Sequence, residues 1–327
     1  MIPVSRLQYL EIKLAALEMS AMLEPLVSMQ GLQLGGKYEL CYPYDVGGQG
    51  ILFMARPLGV VECNVLAKMP ALEYHRPPAY MTSEAIATAR QRIEHEAAIL
   101  CRFQNTILPT YYDLVYGPNP LHAPEWGAEI TQHEVYLIME FIQGRGLEQV
   151  TGEMHYAGDC DYRQLEHLAL VVAESILDLC DTLYENGTGF LYSDIRPANV
   201  LLTEGERPVR MIDAGSIIPV RPIHDVNLEI PFSESYVPVD VYESYQLSRP
   251  VWPDCRFVVC TLGRTLYQVA TNRIPLPGDE LDFEVDPMPR YSRLFVDYLK
   301  LVANGHQPSF TILRQIARQL LDARPSD

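Results

Sequence analysis

The sequence predicts a segregated α+β chain, with strands gathered in its first part and helices in its second. Three observations carry that expectation. Between 37 and 67, short alternating or apolar runs are separated by glycines, as in strands joined by tight turns. One strong helical stripe follows at 83–103. After Gly144 the chain turns largely helical, and no internal repeat runs through it.

Taken in order, residues 5–29 read as one amphipathic helix with Leu7, Leu10, Leu14, Leu17, Met22 and Leu26 near helical spacing, ended by Gly31, Gly35 and Gly36. That stripe either packs back on its own domain, the simpler reading, or serves as a dimer or partner face. Strands are expected at 38–42, 51–56 and 60–68. The helix at 83–103, capped by Thr82 or Ser83, presents Ile86, Ala89, Ile93, Ala97 and Leu100 on one face. Strands at 107–115 and 134–141 flank a Pro- and Gly-rich insertion at 117–132. A long helix at 163–186 turns Leu165, Leu168, Val172, Ile176, Leu179 and Leu183 inward, and 255–271, 291–304 and 309–322 complete the helical part.

The 327 residues, 48% of them hydrophobic, suffice for one large core or two smaller lobes. A formal charge of -17 argues against nucleic acid, whose phosphates need clustered Lys and Arg, and is compatible with a basic protein or peptide partner. The seven cysteines are odd in number and contain no C-x-x-C pair, so neither a disulfide framework nor a zinc site is expected; reduced thiols in a cytosolic protein are the simplest reading. The eight histidines show no ligand spacing. Arg6, Glu11 and Lys13 interrupt the first apolar stretch where a leader would be uncharged, and no uncharged run reaches membrane-spanning length. The expected location is the cytoplasm.

Four segments carry chemistry. Asp45-Val-Gly47-Gly48-Gln-Gly50 lies between two strand candidates, and its glycines let backbone amides approach phosphate with no side chain in the way. A strand, rather than a helix, follows it. Ala67-Lys68 ends an apolar strand, where a buried lysine needs an anionic partner; Glu96 on the next helix is the candidate and Glu94 its rival on another face. The third segment reads Tyr192-Ser193-Asp194-Ile195-Arg196-Pro197-Ala198-Asn199, and the fourth Met211-Ile212-Asp213-Ala214-Gly215 after a short apolar strand.

The third and fourth segments resemble the catalytic loop H-R-D-x-x-x-x-N and the D-F-G triplet of bacterial Hanks-type Ser/Thr protein kinases, and the four segments follow the order of that family. The resemblance covers 37 to about 325 and implies a bilobal protein-kinase-like fold, with a small antiparallel N-lobe sheet, one helix, and a mainly helical C-lobe. It implies an extension at 1–36, an N-lobe at 37–143 and a C-lobe at 144–327. It implies Asp194 as base, Arg196 on the transferring phosphoryl group, Lys68 and Glu96 as the phosphate-gripping pair, and Asn199 and Asp213 as Mg²⁺ ligands. ATP would contact Gly47, Gly48, Gly50, Ala67, Lys68, Met139 as gatekeeper, and Glu140 and Ile142 at the hinge.

The departures from that pattern are specific. Asp45 replaces the first loop glycine and weakens nucleotide binding if it points inward. Tyr192-Ser193 replaces His-Arg, which removes the usual partner of a phosphorylated activation segment. Ala214 replaces the aromatic of D-F-G. Pro238-Val239-Asp240 stands for A-P-E, and Gln307 stands where its arginine partner belongs, so that ion pair is expected to be absent. Asp254 lies nine residues before Gly263, whereas the family places an aspartate about five before. Three functions fit: a Ser/Thr protein kinase acting on a protein substrate, an ATP-binding module without transfer, or a small-molecule phosphotransferase sharing the Asp-x-x-Pro-x-Asn pattern.

Overall fold

The structure, a computed structural model, describes residues 3–17, 20–47, 50–70, 83–119, 133–157, 160–185, 189–220, 231–249 and 253–323. It divides into two compact units: Met1–Asn105 with Pro109–Phe141, and Thr106–Leu108 with Ile142–Asp327. The α+β class expected from the sequence holds in both.

The first unit is a sheet with helices against it. Its strands are β1 (Gln33–Leu34), β2 (Tyr38–Gly47), β3 (Gly50–Pro57), β4 (Val65–Met69), β5 (Tyr111–Pro118) and β6 (His133–Glu140). They run antiparallel in the order β1-β2-β3-β4-β6-β5. Alternation along β4 sends Val65, Ala67 and Met69 into one apolar cluster with Phe53, Ala55, Ile51 and Ile138, while Lys68 takes the opposite face. Helix α3 (Ser83–Arg102) buries Ile86, Ile93, Ala97 and Leu100 of the stripe read from its sequence and leaves Ala89 partly buried. Thr82, one of its two proposed caps, lies outside the described residues.

Four expectations need correction here. The single helix at 5–29 is two: α1 (Val4–Ala16) and α2 (Leu23–Ser28). Leu10, Leu14 and Leu26 still reach the sheet cluster, so these helices pack on their own unit. The strand expected at 107–115 begins only at Tyr111, and the one expected at 60–68 only at Val65. Finally, Cys41 and Cys63 form a disulfide with a Cα–Cα distance of 6.4 Å. Cys41 is the extra residue of a β-bulge between Leu40 and Tyr42, and a bulge re-aims its side chain. The remaining five cysteines are free. Most of the insertion expected at 117–132 falls outside the described residues; Gly117 and Pro118 end β5.

The second unit is mainly helical: α4 (Leu147–Tyr156), α5 (Tyr162–Tyr184), α6 (Val239–Gln246), α7 (Cys255–Thr271), α8 (Arg293–Ala303) and α9 (Phe310–Asp322). Helix α5 starts at Asp161, whose carboxylate accepts from the Arg163 and Gln164 amides, and Ser292 and Ser309 cap α8 and α9 in the same manner. Helix α7 is buried from Phe257 to Thr271, which marks it as the central helix of the unit. At Gly263 a Cβ would stand 2.3 Å from Ala303 Cα, so the close approach of α7 to α8 requires glycine. Short strands β7 (Arg145–Gly146), β8 (Phe190–Tyr192), β9 (Val200–Leu202), β10 (Val209–Met211) and β11 (Ile217–Pro219) form two small sheets, β10-β9-β7 and β11-β8. Among the described residues no helix is long and apolar enough to cross a membrane.

Candidate active site

The sequence-derived residues fall into two sets, one in each unit. In the first unit, β2 ends at Gly47 and β3 begins at Gly50, so the glycine segment is a strand–loop–strand hairpin. Gly48 lies outside the described residues. Gly50 makes room for Lys68: a Cβ there would stand 2.9 Å from Lys68 Cε and 3.0 Å from the Met69 carbonyl. Lys68, paired in the ladder with Leu52 and Leu137, sends Nζ to within 2.7 Å of Glu96 Oε2, and both side chains are buried. Glu94, the rival partner, is exposed. Two helical positions separate inside from outside here, and α3 turns Glu96 inward.

Ala67 is a correction. It shares the face of Val65 and Met69 in the apolar cluster, opposite Lys68; Leu66, paired with Met54 in β3, is the neighbour that shares the strand parity of Lys68. Met139 is buried in β6 opposite Leu66 and Tyr111. The Glu140 carboxylate accepts from the Thr110 amide at 2.9 Å and from its hydroxyl at 3.0 Å, while its own amide donates to the Thr110 carbonyl. Ile142, the first residue after this stretch in the second unit, is buried.

In the second unit two antiparallel pairings bring the catalytic-loop and metal residues together. Pairing of β8 with β11 and of β9 with β10 flanks the loop on both sides. The Ile212 amide donates to the Asn199 carbonyl at 3.0 Å, which sets Asp213 beside Asn199. Asn199 Nδ2 donates to the Asp194 carbonyl at 2.9 Å and lies 3.3 Å from Asp194 Oδ2, leaving the amide oxygen to face elsewhere. Arg196 Nε stands 3.2 Å from the same Oδ2. Asp194 Oδ1 is buried with no hydrogen-bond partner among the described residues. Burial pushes the Asp194 carboxyl above the ordinary aspartate value, and the Arg196 charge pulls it back. Asp213 accepts from the Gly215 amide and the Ser216 hydroxyl, which orients its carboxylate.

Sequence reasoning missed the residues that hold this loop. Tyr192 donates its hydroxyl to the Asp213 carbonyl at 2.5 Å, so the departure from histidine keeps a donor at that position. Ser193 Oγ stands 2.8 Å from the Ser216 carbonyl and 2.5 Å from that of Pro231. Thr265 Oγ1, fully buried on α7, lies 2.8 Å from the Ile195 carbonyl. No local spacing signals these contacts. Asp254 caps α7 through the Phe257 amide, and Val258, five before Gly263, is buried and apolar. The ion pair expected to be absent has a substitute: Asp240 Oδ2 meets Arg256 Nη1 at 2.8 Å, while Gln307 serves the Ser309 amide.

No family model matches the chain. It is 25% identical over 252 residues to the Clostridium perfringens protein named "Probable serine/threonine-protein kinase", covering 77% of this chain and 31% of that protein. It is 23% identical over 247 residues to the serine/threonine-protein kinase PknB of Mycobacterium tuberculosis, covering 75% of this chain and 34% of PknB. The chain thus spans about a third of the length of these curated relatives. Among solved structures it is similar to the Mycobacterium tuberculosis PknI kinase domain, with a TM-score of 0.55 at 16% identity, covering 89% of this chain and 98% of that one. The chain has the protein-kinase fold. In sequence it is similar to bacterial serine/threonine protein kinases.

Proposed function

We propose that the chain transfers the γ-phosphate of ATP to a serine or threonine hydroxyl of a protein substrate, with Asp194 as the base. The observation that supports this most directly is the Asp194 carboxylate: one oxygen is held by Asn199 and Arg196, and the other is buried with no hydrogen-bond partner among the described residues, the Ser233 side chain lying near the carboxyl. A buried carboxylate oxygen without a donor is costly, and a substrate hydroxyl would supply one. The proton leaves that hydroxyl for Asp194 Oδ1 as its oxygen attacks the γ-phosphorus, and the bond from that phosphorus to the bridging oxygen breaks to release ADP.

The other residues have defined tasks in the phosphoryl-transfer template. Lys68, held by Glu96, would grip the α- and β-phosphates. Backbone amides at Gly47, Gly48 and Gly50 would approach the phosphates, Leu66 and Met139 would line the adenine side, and the Glu140 and Ile142 backbone would hold its edge. Asp213 and the Asn199 amide oxygen are hard oxygen donors that fit Mg²⁺. When bound, the metal neutralises phosphate charge. Arg196 would offset charge on the transferring group. The PknB relative's name supports a protein substrate.

A second reading, an ATP-binding module without transfer, rests on Val258 standing where the family has an aspartate beneath the catalytic loop. One experiment separates the two: labelled γ-phosphate transfer from Mg-ATP to a generic basic protein, beside Asp194→Asn. Incorporation that disappears in the variant supports transfer. ATP binding with no incorporation by the wild type supports the module.

A further inference from the structure

We propose that α1 is a positioning clamp for the phosphate loop, acting through Lys13 on Asp45 and through Arg6 on Tyr44. The proposal deepens the ATP-binding reading of residues 47–50 and rests on it.

The starting point is the charge introduced where a glycine was expected. Asp45 Oδ1 accepts three donors: Lys13 Nζ at 2.5 Å, the Val46 amide at 2.8 Å and the Tyr9 hydroxyl at 3.1 Å. Two of these come from α1, and Lys13 also reaches the Tyr9 hydroxyl at 3.2 Å. The carboxylate is therefore saturated on one oxygen and neutralised by a lysine that is itself only about a third exposed. Burial alone would lower the Lys13 ammonium; the hydrogen bond and charge of Asp45 outweigh it, so the lysine holds its proton more firmly than in water.

One residue earlier the contact changes character. Tyr44 is the extra residue of a second β2 bulge, between Pro43 and Asp45. Arg6 Nη1 donates to the Tyr44 carbonyl at 3.2 Å, and its guanidinium lies 4.1 Å from the centre of the Tyr44 ring. The same ring meets Phe141 edge-on at 5.4 Å, next to Glu140. Arg6 thus fixes the backbone and side chain of a residue three before Gly47. Leu10 and Leu14, fully buried in the sheet cluster, seat α1 so that Arg6 and Lys13 arrive together.

The functional consequence follows from electrostatics. A carboxylate two residues from Gly47 repels ATP phosphates unless its charge is compensated, and Lys13 compensates it. Lys13→Ala should raise the KM for ATP by about three- to tenfold, with kcat changed less than about twofold. Adding Asp45→Asn to Lys13→Ala should return KM toward wild type, because the uncompensated charge is gone; a merely structural helix contact would give no such recovery. An unchanged KM in Lys13→Ala, or no recovery in the double variant, overturns the charge compensation. Amide hydrogen exchange in the nucleotide-free protein gives a readout that does not depend on ATP. Arg6→Ala and Lys13→Ala should speed exchange over 44–52 and leave α5 unaffected. Unchanged exchange over 44–52 overturns the clamp. Faster exchange in a wild-type background that binds no ATP would sustain the clamp and overturn the ATP reading instead.

Discussion

Lys68 Nζ lies 2.7 Å from Glu96 Oε2, with the two side chains 9% and 2% exposed. A pair this buried is expensive to break from one side, because the survivor keeps its charge without its partner. Lys68→Met should therefore lower unfolding free energy by about 3 kcal/mol as well as abolish ATP binding. Glu96→Gln should do the same with a weaker effect on ATP. Urea unfolding of both variants checks this, and wild-type stability in either would show that the pair is not closed in solution.

The two carboxylates of the second unit should separate by role. Asp213, oriented by Gly215 and Ser216, is the proposed metal ligand, while Asp194 is the proposed base. Mg-ATP at about 100 times its Kd stabilises a binding protein by roughly 2.7 kcal/mol. Asp213→Asn should lose that Mg²⁺-dependent rise in Tm, and Asp194→Asn should keep it while transfer vanishes. Equal stabilisation of Asp213→Asn and wild type would remove Asp213 from the metal site.

Burial raises the Asp194 carboxyl and Arg196 lowers it. Catalysis needs the ionised base, so activity falls as pH drops through the raised folded value. Arg196→Ala removes the lowering influence, so the acid limb of the pH–rate profile should move to higher pH. The same shift fixes the sign of a stability effect. A carboxyl raised on folding binds more protons folded than unfolded, so its contribution falls as pH rises from the ordinary aspartate range through the raised value. Asp194→Asn should accordingly increase Tm at neutral pH by roughly 1 to 3 °C, and that gain should shrink on acidification. A lower Tm for Asp194→Asn at neutral pH would contradict the burial cost.

Legibility in the sequence tracked distance along the chain. Asp194 and Asn199 share one short loop, and the β9–β10 hairpin returns Asp213 beside Asn199, so that grouping was legible as a local pattern. Glu96 was readable up to its helical phase, and only the packing of α3 excluded Glu94. Ala67 was misplaced by one residue of strand parity, an error that flips a side chain to the other face. Lys13–Asp45, Thr265–Ile195 and Cys41–Cys63 were invisible, since each depends on tertiary packing or a bulge that leaves no local spacing. The disulfide itself is checkable: alkylation of the unfolded chain should add five labels without reduction and seven after it.

Ser193 should replace phosphorylation as the brace of the activation segment. Its hydroxyl sits between the Ser216 and Pro231 carbonyls, and its amide donates to the Ser216 carbonyl at 2.9 Å. It thereby ties the start of the segment to its end, a task that an arginine and a phosphate perform together where both exist. From 217 to 232 the sequence contains no Ser, Thr or Tyr, so that stretch offers no hydroxyl to phosphorylate. Phosphatase treatment should leave transfer activity unchanged. Ser193→Ala should cost about 1 kcal/mol of stability by leaving a carbonyl without its donor. Its effect on kcat should exceed its effect on the KM for ATP, because the brace lies on the Asp194 side. Loss of activity on dephosphorylation, with a phosphate mapped between Asp213 and Pro238, would show that the segment depends on modification after all.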